Sequence, residues 1–193
     1  MPIIPANFPD DSALIPLAKT KRALNKEESK SVLRHIPLLV PADDDKSIRR
    51  VVLRLLGRSS EQPNGGADLD VTKNIEALLH SEHFPLPAIV CESAGQAREA
   101  IQAILEHRIE RGALVLDNHM GDGTGLELFR EYGSAMPDGF VKILHTACGP
   151  AEMDTITKEG AIDKVCLKPA LDLREWVAKL YLQKRFGLAS DTK

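Results

Sequence analysis

The chain has 193 residues and a formal net charge of −3, with 43% hydrophobic and 27% charged residues. This composition is typical of a soluble globular protein and provides enough apolar material for a sizeable core. The weak net charge gives no reason to expect direct contact with nucleic acid or a membrane, and no apolar run approaches the roughly 20 residues that span a bilayer.

The first 35 residues are predicted to form an N-terminal arm and a basic helix. Four prolines between positions 1 and 20 predict an irregular arm. Residues 20–35 are rich in Lys and Arg, and Leu24 and Val32 give them a thin apolar stripe, which predicts a helix. We interpret this helix as solvated on one side and docked on the core; a basic partner-binding arm is the alternative.

A strand, an acidic turn and an amphipathic helix follow. The apolar run from Ile36 to Val40 predicts the strand, Asp43 to Asp45 form the turn, and helical spacing of apolar residues starts at Ser47. Pro41 lies near the end of a strand that should be central in its sheet. Because proline has no N–H to donate, we expect a bulge or an early strand end there.

Residues of about 57–87 are predicted to be an insertion with a loop rich in Gly, Ser, Pro, Asn and Asp, and then a short extra helix. The pattern beyond it alternates between strands and helices. Strands are predicted at 88–91, 113–116, 141–145 and 164–167, and helices at 95–107, after 125, at 151–160 and at 173–183. Such alternation predicts an α/β fold with a parallel sheet and helices on both faces.

The polar residues that stand out each follow a predicted strand. Asp43 and Asp44 follow the first, and the others follow later strands: Asp117, Thr146 and Lys168. Right-handed crossovers bring all these strand ends to one edge, where ligands bind in such folds. Crowded carboxylates favour a hard divalent cation such as Mg²⁺, and an aspartate beside it can attack phosphorus while a lysine stabilises the transferring group.

These residues in this order resemble the receiver domain of bacterial response regulators. The fragments that carry the resemblance cover residues 36–183: Asp43-Asp44, Leu114-Val115-Leu116-Asp117, Ile143-Leu144-His145-Thr146-Ala147 and Leu167-Lys168-Pro169. The resemblance implies a flavodoxin-like, doubly wound, five-stranded parallel sheet of order 2-1-3-4-5. It also implies a receiver domain over residues 36–185 and a C-terminal tail over 186–193.

The resemblance implies a role for each site residue. Asp117 matches the phosphoacceptor, and Thr146 and Lys168 match the residues that bind phosphoryl oxygens. Magnesium would be held by Asp43, Asp44, Asp117 and the backbone carbonyl of His119. Cys148 and Val165 occupy positions that modulate the lifetime and the switching of the phosphorylated state, and the Lys168-Pro169 bond would be cis. His145 would be a neighbour that modulates the pocket.

The implied function is a phosphorylation switch in the cytoplasm and not an enzyme, beyond catalysis of its own phosphorylation and dephosphorylation. The phosphoryl donor would be a histidine kinase or a histidine phosphotransfer protein. Phosphorylation would alter contacts with a downstream output protein, an output domain missing from this chain, or a second copy in a homodimer. Neither a membrane nor nucleic acid is expected as a direct partner.

Two departures from the family pattern leave an alternative open. Gly121 stands where the family usually has proline, and Val165 replaces the usual aromatic residue before the lysine. Together with Pro41 and the insertion, they allow a degenerate receiver-like interaction module without phosphotransfer. A metal-dependent phosphatase with Asp117 as nucleophile is a weaker alternative, because His119 stands where such enzymes usually carry a second aspartate.

The cysteines agree with a reducing compartment. There are three, Cys91, Cys148 and Cys166, without a CxxC pair or a His/Cys cluster. Cys91 and Cys166 lie in apolar, strand-like runs and are predicted to be buried reduced thiols.

Overall fold

The structure of the protein is a computed structural model that describes residues 10–57, 88–147, 149, 153, 156, 161–169 and 172–188. Several predictions lie outside the described residues. They are the loop and extra helix of the insertion over 58–87, the position of Cys148, most of the helix at 151–160 and the end of the C-terminal tail.

A parallel sheet of four strands forms the centre of the described fold. The strands β1 (Leu39–Ala42), β2 (Arg111–Asp117), β3 (Gly139–Thr146) and β4 (Lys164–Leu167) lie in the order β1-β2-β3-β4, and each adjacent pair is parallel. The main helices are α2 (Lys26–Leu33), α3 (Lys46–Leu55), α4 (Ala94–Glu106), α5 (Gly125–Tyr132) and α6 (Leu173–Phe186). The predicted α/β class with a parallel sheet is confirmed.

The predicted fifth strand at 88–91 is not a regular strand in the described chain. This segment runs beside the free edge of β1, where Ile89 N–H donates to Leu39 O at 2.9 Å and Cys91 N–H donates to Pro41 O at 2.9 Å. A single parallel bridge, between Ala42 and Cys91, is formed. The four-stranded sheet therefore has a partly paired segment at the position expected for strand 2 of the order 2-1-3-4-5.

Pro41 accounts for the partial pairing. Its carbonyl faces the 88–91 segment, and in a β-strand the N–H and C=O of one residue point to the same side. The donor that proline lacks would therefore have served Ile89 O. The predicted bulge or early strand end is wrong, because β1 continues through Pro41 to Ala42 in regular register with β2.

Side chains alternate between the two faces of the sheet and bury a core on each face. On one face α4 and α5 pack against Val40, Leu114 and Leu144. On the other face α2, α3 and α6 contribute to a core that includes Leu39, Val115 and Ile143. Helices on both faces of one parallel sheet make this a doubly wound fold.

The N-terminal segment packs on α6 rather than forming an irregular arm. A 3-10 helix (Asp11–Leu14) and the short α1 (Ile15–Ala18) precede α2, so the prediction of an arm without helices is wrong for these residues. The predicted helix begins at Lys26 and not near Thr20, because Asn25 and Glu28 form a capping box there. The predicted docking on the core is confirmed: Val32 and Leu33 are buried.

Three polar contacts hold this segment on the core. The Tyr181 hydroxyl in α6 donates to the His35 carbonyl at 2.8 Å, and burial raises the pKa of Tyr181 to about 12. Asp11 forms ion pairs with Arg111 in β2 and Arg185 in α6. Two sequence-distant arginines therefore converge on a single N-terminal carboxylate.

The glycine-rich loop between β2 and α5 caps a neighbouring helix. Met120 and Gly123 form a reciprocal pair of backbone hydrogen bonds at 3.1 and 3.0 Å, and the loop turns through Gly121 and Asp122. The Asp122 carboxylate accepts from the N–H groups of Ala94 at 2.7 Å and Gly95 at 2.9 Å. It thus satisfies two of the unpaired donors at the start of α4.

We expect Asp122→Ala to lower the free energy of unfolding by about 1 kcal/mol, as measured by urea denaturation, since comparable caps contribute that much. Asp122→Asn is the control, because an amide oxygen keeps part of the cap. Hydrogen bonds from Gly95 and Ala94 lower the pKa of Asp122 from 3.8. Its contribution is therefore present above pH 3.8 and is lost as the pH falls through the lowered pKa. An Asp122→Ala penalty that persists unchanged when the pH is brought far below 3.8 would contradict this role.

Candidate functional site

Two buried aspartates and one lysine meet at the carboxyl edge of the sheet. Asp43 follows β1, Asp117 ends β2, and both are 3% exposed. The Lys168 ammonium, just after β4, lies 2.6 Å from Asp43 Oδ2 and 2.8 Å from Asp117 Oδ2. The residues that were predicted to converge from three strand ends therefore lie in contact.

The lysine is held as a cation by its two partners. Burial would lower the pKa of the Lys168 ammonium, but hydrogen bonds and charge interactions with Asp117 and Asp43 outweigh it and raise the pKa. A neutral lysine would leave two carboxylates facing each other at low exposure, which is unfavourable. The ammonium thus stabilises the two neighbouring carboxylates, Asp43 after β1 and Asp117 at the end of β2.

A third carboxylate extends the cluster towards solvent. Asp44 is exposed, and carboxylate oxygens of Asp43, Asp44 and Asp117 all lie within 4.8 Å of one another. Apart from the Lys168 ammonium, Asp43 Oδ2 meets no hydrogen-bond donor in the described part of the chain, although it is buried. An all-oxygen donor set with one under-satisfied carboxylate fits a hard divalent cation of the Mg²⁺ class.

The acidic turn is built by local hydrogen bonds. Asp43 Oδ1 accepts from Asp45 N–H at 2.9 Å, and Asp45 Oδ1 accepts from Ser47 N–H at 2.7 Å, which caps α3. Asp43 N–H donates to Cys91 O at 3.2 Å. Asp43 and Asp45 are therefore turn and cap residues too, and Asp44, between them, has no such role among the contacts described.

Arg49 supports the acidic turn from inside α3, and the sequence reasoning missed it. Its guanidinium donates to the Asp43 carbonyl at 2.6 Å and to Glu92 Oε1 at 2.7 Å. The sequence signal was its spacing, because Arg49 lies three and four residues before Val52 and Leu53, and the structure shows all three residues buried. A charged residue on the apolar stripe of a helix requires a buried partner.

Thr146 and the residues after β4 occupy the predicted edge. Thr146 ends β3, is fully buried and accepts from Lys168 N–H through its carbonyl at 2.8 Å. The Lys168-Pro169 bond is cis, as predicted. His119 is exposed two residues beyond Asp117, and the metal-binding role of its carbonyl stays a prediction.

His145 lies beside the aspartate in the sheet, since it is paired in register with Asp117. Burial and the Lys168 charge lower its pKa to about 4, against an opposing effect of Asp43. The imidazole is therefore neutral near pH 7 and adds no charge to the cluster. The prediction that it modulates the pocket stays a prediction.

Val165 is buried with the core residues on the α4 and α5 face of the sheet, where it pairs in register with Leu144. It thus packs as an ordinary core residue. Asn118, the residue after Asp117, is also buried, and its side-chain Oδ1 accepts from the N–H of Leu126 in α5 at 3.3 Å. This contact fixes the start of the loop beyond Asp117 and was not predicted.

Two of the three cysteines lie in the described part of the chain. Cys91 and Cys166 are buried free thiols, and burial raises the pKa of each to about 12. None of the helices in the described ranges is both long and apolar enough to cross a bilayer.

No protein-family model and no curated protein matches this sequence. Solved structures do resemble the fold. A response regulator receiver domain from Clostridium thermocellum has a TM-score of 0.52 at 15% identity, over 78% of this chain and 98% of its own. The signal receiver domain of an HD domain-containing protein from Pseudomonas fluorescens has a TM-score of 0.52 at 16% identity, over 79% of this chain and 91% of its own.

These likenesses concern the course of the backbone, since the sequence identities are low. They agree with the parallel sheet and the helices on both faces. The chain therefore has the fold of response-regulator receiver domains.

Proposed function

We propose that this protein is a phosphoacceptor receiver domain in which Asp117 takes a phosphoryl group with the help of Mg²⁺. The single observation that supports the proposal most is the contact of Lys168 with both Asp43 and Asp117 beside a third carboxylate. Purely structural turns would not need two buried carboxylates and an ammonium at one strand edge, because burying such charges costs more than an apolar contact.

The chemistry assigns one task to each group. An oxygen of Asp117 attacks the phosphorus of the donor, an O–P bond of aspartyl phosphate forms, and the donor's N–P or O–P bond breaks as the leaving group departs with its electron pair. Lys168 stabilises the charge on the transferring oxygens, and the Thr146 hydroxyl donates to one of them. Magnesium, when held by Asp43, Asp44, Asp117 and the His119 carbonyl, supplies further positive charge to the same oxygens.

A physical consequence of phosphorylation follows from Lys168. The phosphoryl group adds about −1.5 to −2 charges at neutral pH, so it competes with Asp43 for the ammonium. Lys168 is joined through its N–H to Thr146 O, and α6 begins five residues after it. Movement of the lysine would therefore reach β4 and α6, whose surface would alter its affinity for an output partner or a second copy.

A histidine kinase or histidine phosphotransfer protein would be the donor, in the cytoplasm. The exposed Asp44 and His119 mark the open side of the site from which a phosphohistidine could approach. Cys148 and Val165 would tune the lifetime and the coupling of the phosphorylated state.

An interaction module without phosphotransfer is the second candidate. It is favoured by the same lysine contact, because Lys168 already neutralises much of the charge of Asp43 and Asp117 without a metal. The buried Val165 also provides no aromatic ring to couple the site to its surface. The two candidates differ in whether the protein binds Mg²⁺ and accepts a phosphoryl group.

Phosphorylation is tested by intact-mass spectrometry after incubation with acetyl phosphate and Mg²⁺. We expect one added phosphoryl group in the wild type, and none in Asp117→Asn or with EDTA. Asp163→Asn is a matched control, because Asp163 lies away from the cluster beside Lys142 and Lys184 and should leave the adduct intact. Full modification of Asp117→Asn would refute Asp117 as the acceptor; no adduct and no Mg²⁺ affinity in the wild type would favour the interaction module.

The metal site is tested by titrating Mg²⁺ into the protein by calorimetry. We expect Asp44→Asn to weaken binding by about tenfold, or ~1.4 kcal/mol, because an exposed ligand loses its charge. Asp45→Asn is the control: Asn caps helices as well as Asp does, and Asp45 is outside the three-carboxylate cluster. Equal weakening by both variants would indicate that only the general negative charge of the turn matters.

Lys168→Gln is predicted to separate metal binding from phosphoryl transfer. Because the ammonium competes with a metal for Asp43 and Asp117, we expect its removal to tighten Mg²⁺ binding by about tenfold, or ~1.4 kcal/mol. The rate of phosphorylation should fall in the same variant, as followed by intact mass over time. Lys164→Gln, which removes a lysine that lies over the Trp176 ring, should change neither quantity. Weaker Mg²⁺ binding in Lys168→Gln would contradict this view of the site.

A further inference from the structure

A second charged cavity lies where α2, α3 and α6 meet. It has a volume of about 230 Å³. Its lining contains no acidic residue and four cationic ones, which are Lys30, Arg34, Arg54 and Arg174. The other lining residues are Leu33, Leu56 and Gly57. The four cations come from three separate helices, so their proximity results from the tertiary fold and not from the period of one helix.

This positive charge is only partly balanced within the described chain, where Glu27 is the one carboxylate that interacts with Lys30 and Arg174. Lys30 pairs with Glu27 at 2.7 Å, but Glu27 is 77% exposed and does not line the cavity. Arg34 and Arg54 form no ion pair with any residue that the structure describes. Five other arginines in the described ranges do have carboxylate partners, namely Arg22, Arg49, Arg98, Arg111 and Arg185.

Arg174 is fixed in place beside them. Its Nε donates to Leu55 O at 2.6 Å, which satisfies a carbonyl at the end of α3 and leaves the guanidinium's terminal N–H groups for other acceptors. Arg174 is the second residue of α6, where a helix dipole disfavours a cation. The Arg174 charge at this position therefore lowers the stability of α6.

Helix capping alone explains part of the cluster. Arg34 is the C-cap of α2 and Arg54 lies in the last turn of α3, and a cation at such a place interacts favourably with the helix dipole. Arg34 and Arg54 are exposed, as capping cations usually are, but capping does not require both of them to line one cavity with Arg174 and Lys30. The convergence of like charges favours a multiply charged anion as their common partner.

The size of the cavity limits the anion. Pockets that enclose drug-sized ligands measure about 300–1,000 Å³, and this one is smaller. Guanidinium groups bind phosphate oxygens in a bidentate manner, which makes arginine the typical residue for this task. We propose that this cavity is a binding site for a compact polyphosphate group of the pyrophosphate type.

This anion site is separate from the candidate phosphoacceptor site. α3 begins directly after the acidic turn, and the cavity lies at the other end of the same helix, roughly 15 Å away along a ten-residue helix. The ligand would join α2 of the N-terminal segment to α3 and α6 of the core. The proposal does not depend on phosphorylation of Asp117.

The test is calorimetric titration of pyrophosphate into the full chain carrying Asp117→Asn, with EDTA present. This background removes phosphorylation and metal-linked binding at the acidic site. We expect saturable binding with one site, and a loss of affinity of about tenfold or more in the double variant Arg34→Ala, Arg54→Ala. Arg50→Ala is the matched control, because Arg50 is an exposed arginine of α3 outside the cavity lining and should change the affinity less than about twofold.

Three outcomes would overturn the proposal. They are no pyrophosphate binding by the parent protein, equal weakening by Arg50→Ala, and arginine-dependent binding of duplex DNA or anionic vesicles without pyrophosphate binding. If circular dichroism shows that the double alanine variant does not fold, Arg34→Lys with Arg54→Lys replaces it. Lysine keeps the charge but not the bidentate geometry, so an affinity reduced several-fold supports the proposal and an unchanged affinity refutes it.

Discussion

The site depends on one electrostatic constraint, namely that two buried carboxylates on neighbouring strands share the ammonium of Lys168. Asp43 and Asp117 are each 3% exposed, and two carboxylates buried side by side repel each other unless a cation lies between them. The parallel sheet provides the geometry, since β1 and β2 end at the same edge and the chain returns there after β4. A lysine, a divalent metal or both can meet the constraint. In the proposed function, a phosphoryl group on Asp117 would compete with Asp43 for the same ammonium.

A second layer of contacts holds the acidic turn in place. Arg49 ties the Asp43 carbonyl to Glu92, and Asp43 N–H bonds to Cys91 O, so the turn is fastened to the segment beside β1. Pro41 weakens the pairing of that segment just before the turn, because it removes one donor from the ladder. The buried guanidinium and the Asp43–Cys91 bond offset this loss at the point where the site needs rigidity.

Much of the fold could be predicted because the strands are short apolar runs that end at polar residues. The convergence of Asp43, Asp117 and Lys168 follows from the rule that parallel strands share a carboxyl edge. Arg49 and Asp122 were not predicted to have their roles, because both act through partners more than 25 residues away, such as Glu92 and Ala94. The effect of Pro41 was misjudged because the sequence does not show which neighbour its missing N–H would have faced. In the structure that neighbour is the 88–91 segment and not β2.

The most direct test of this account is a crystal structure of the protein with Mg²⁺ and beryllofluoride, which mimics a phosphoryl group. The account predicts beryllium bonded to a carboxylate oxygen of Asp117, a metal ion in contact with Asp43 or Asp44, and the Lys168 ammonium moved from Asp43 to a fluorine atom. A structure in which Lys168 still bridges Asp43 and Asp117, with neither metal nor beryllofluoride at this edge under saturating conditions, would contradict it.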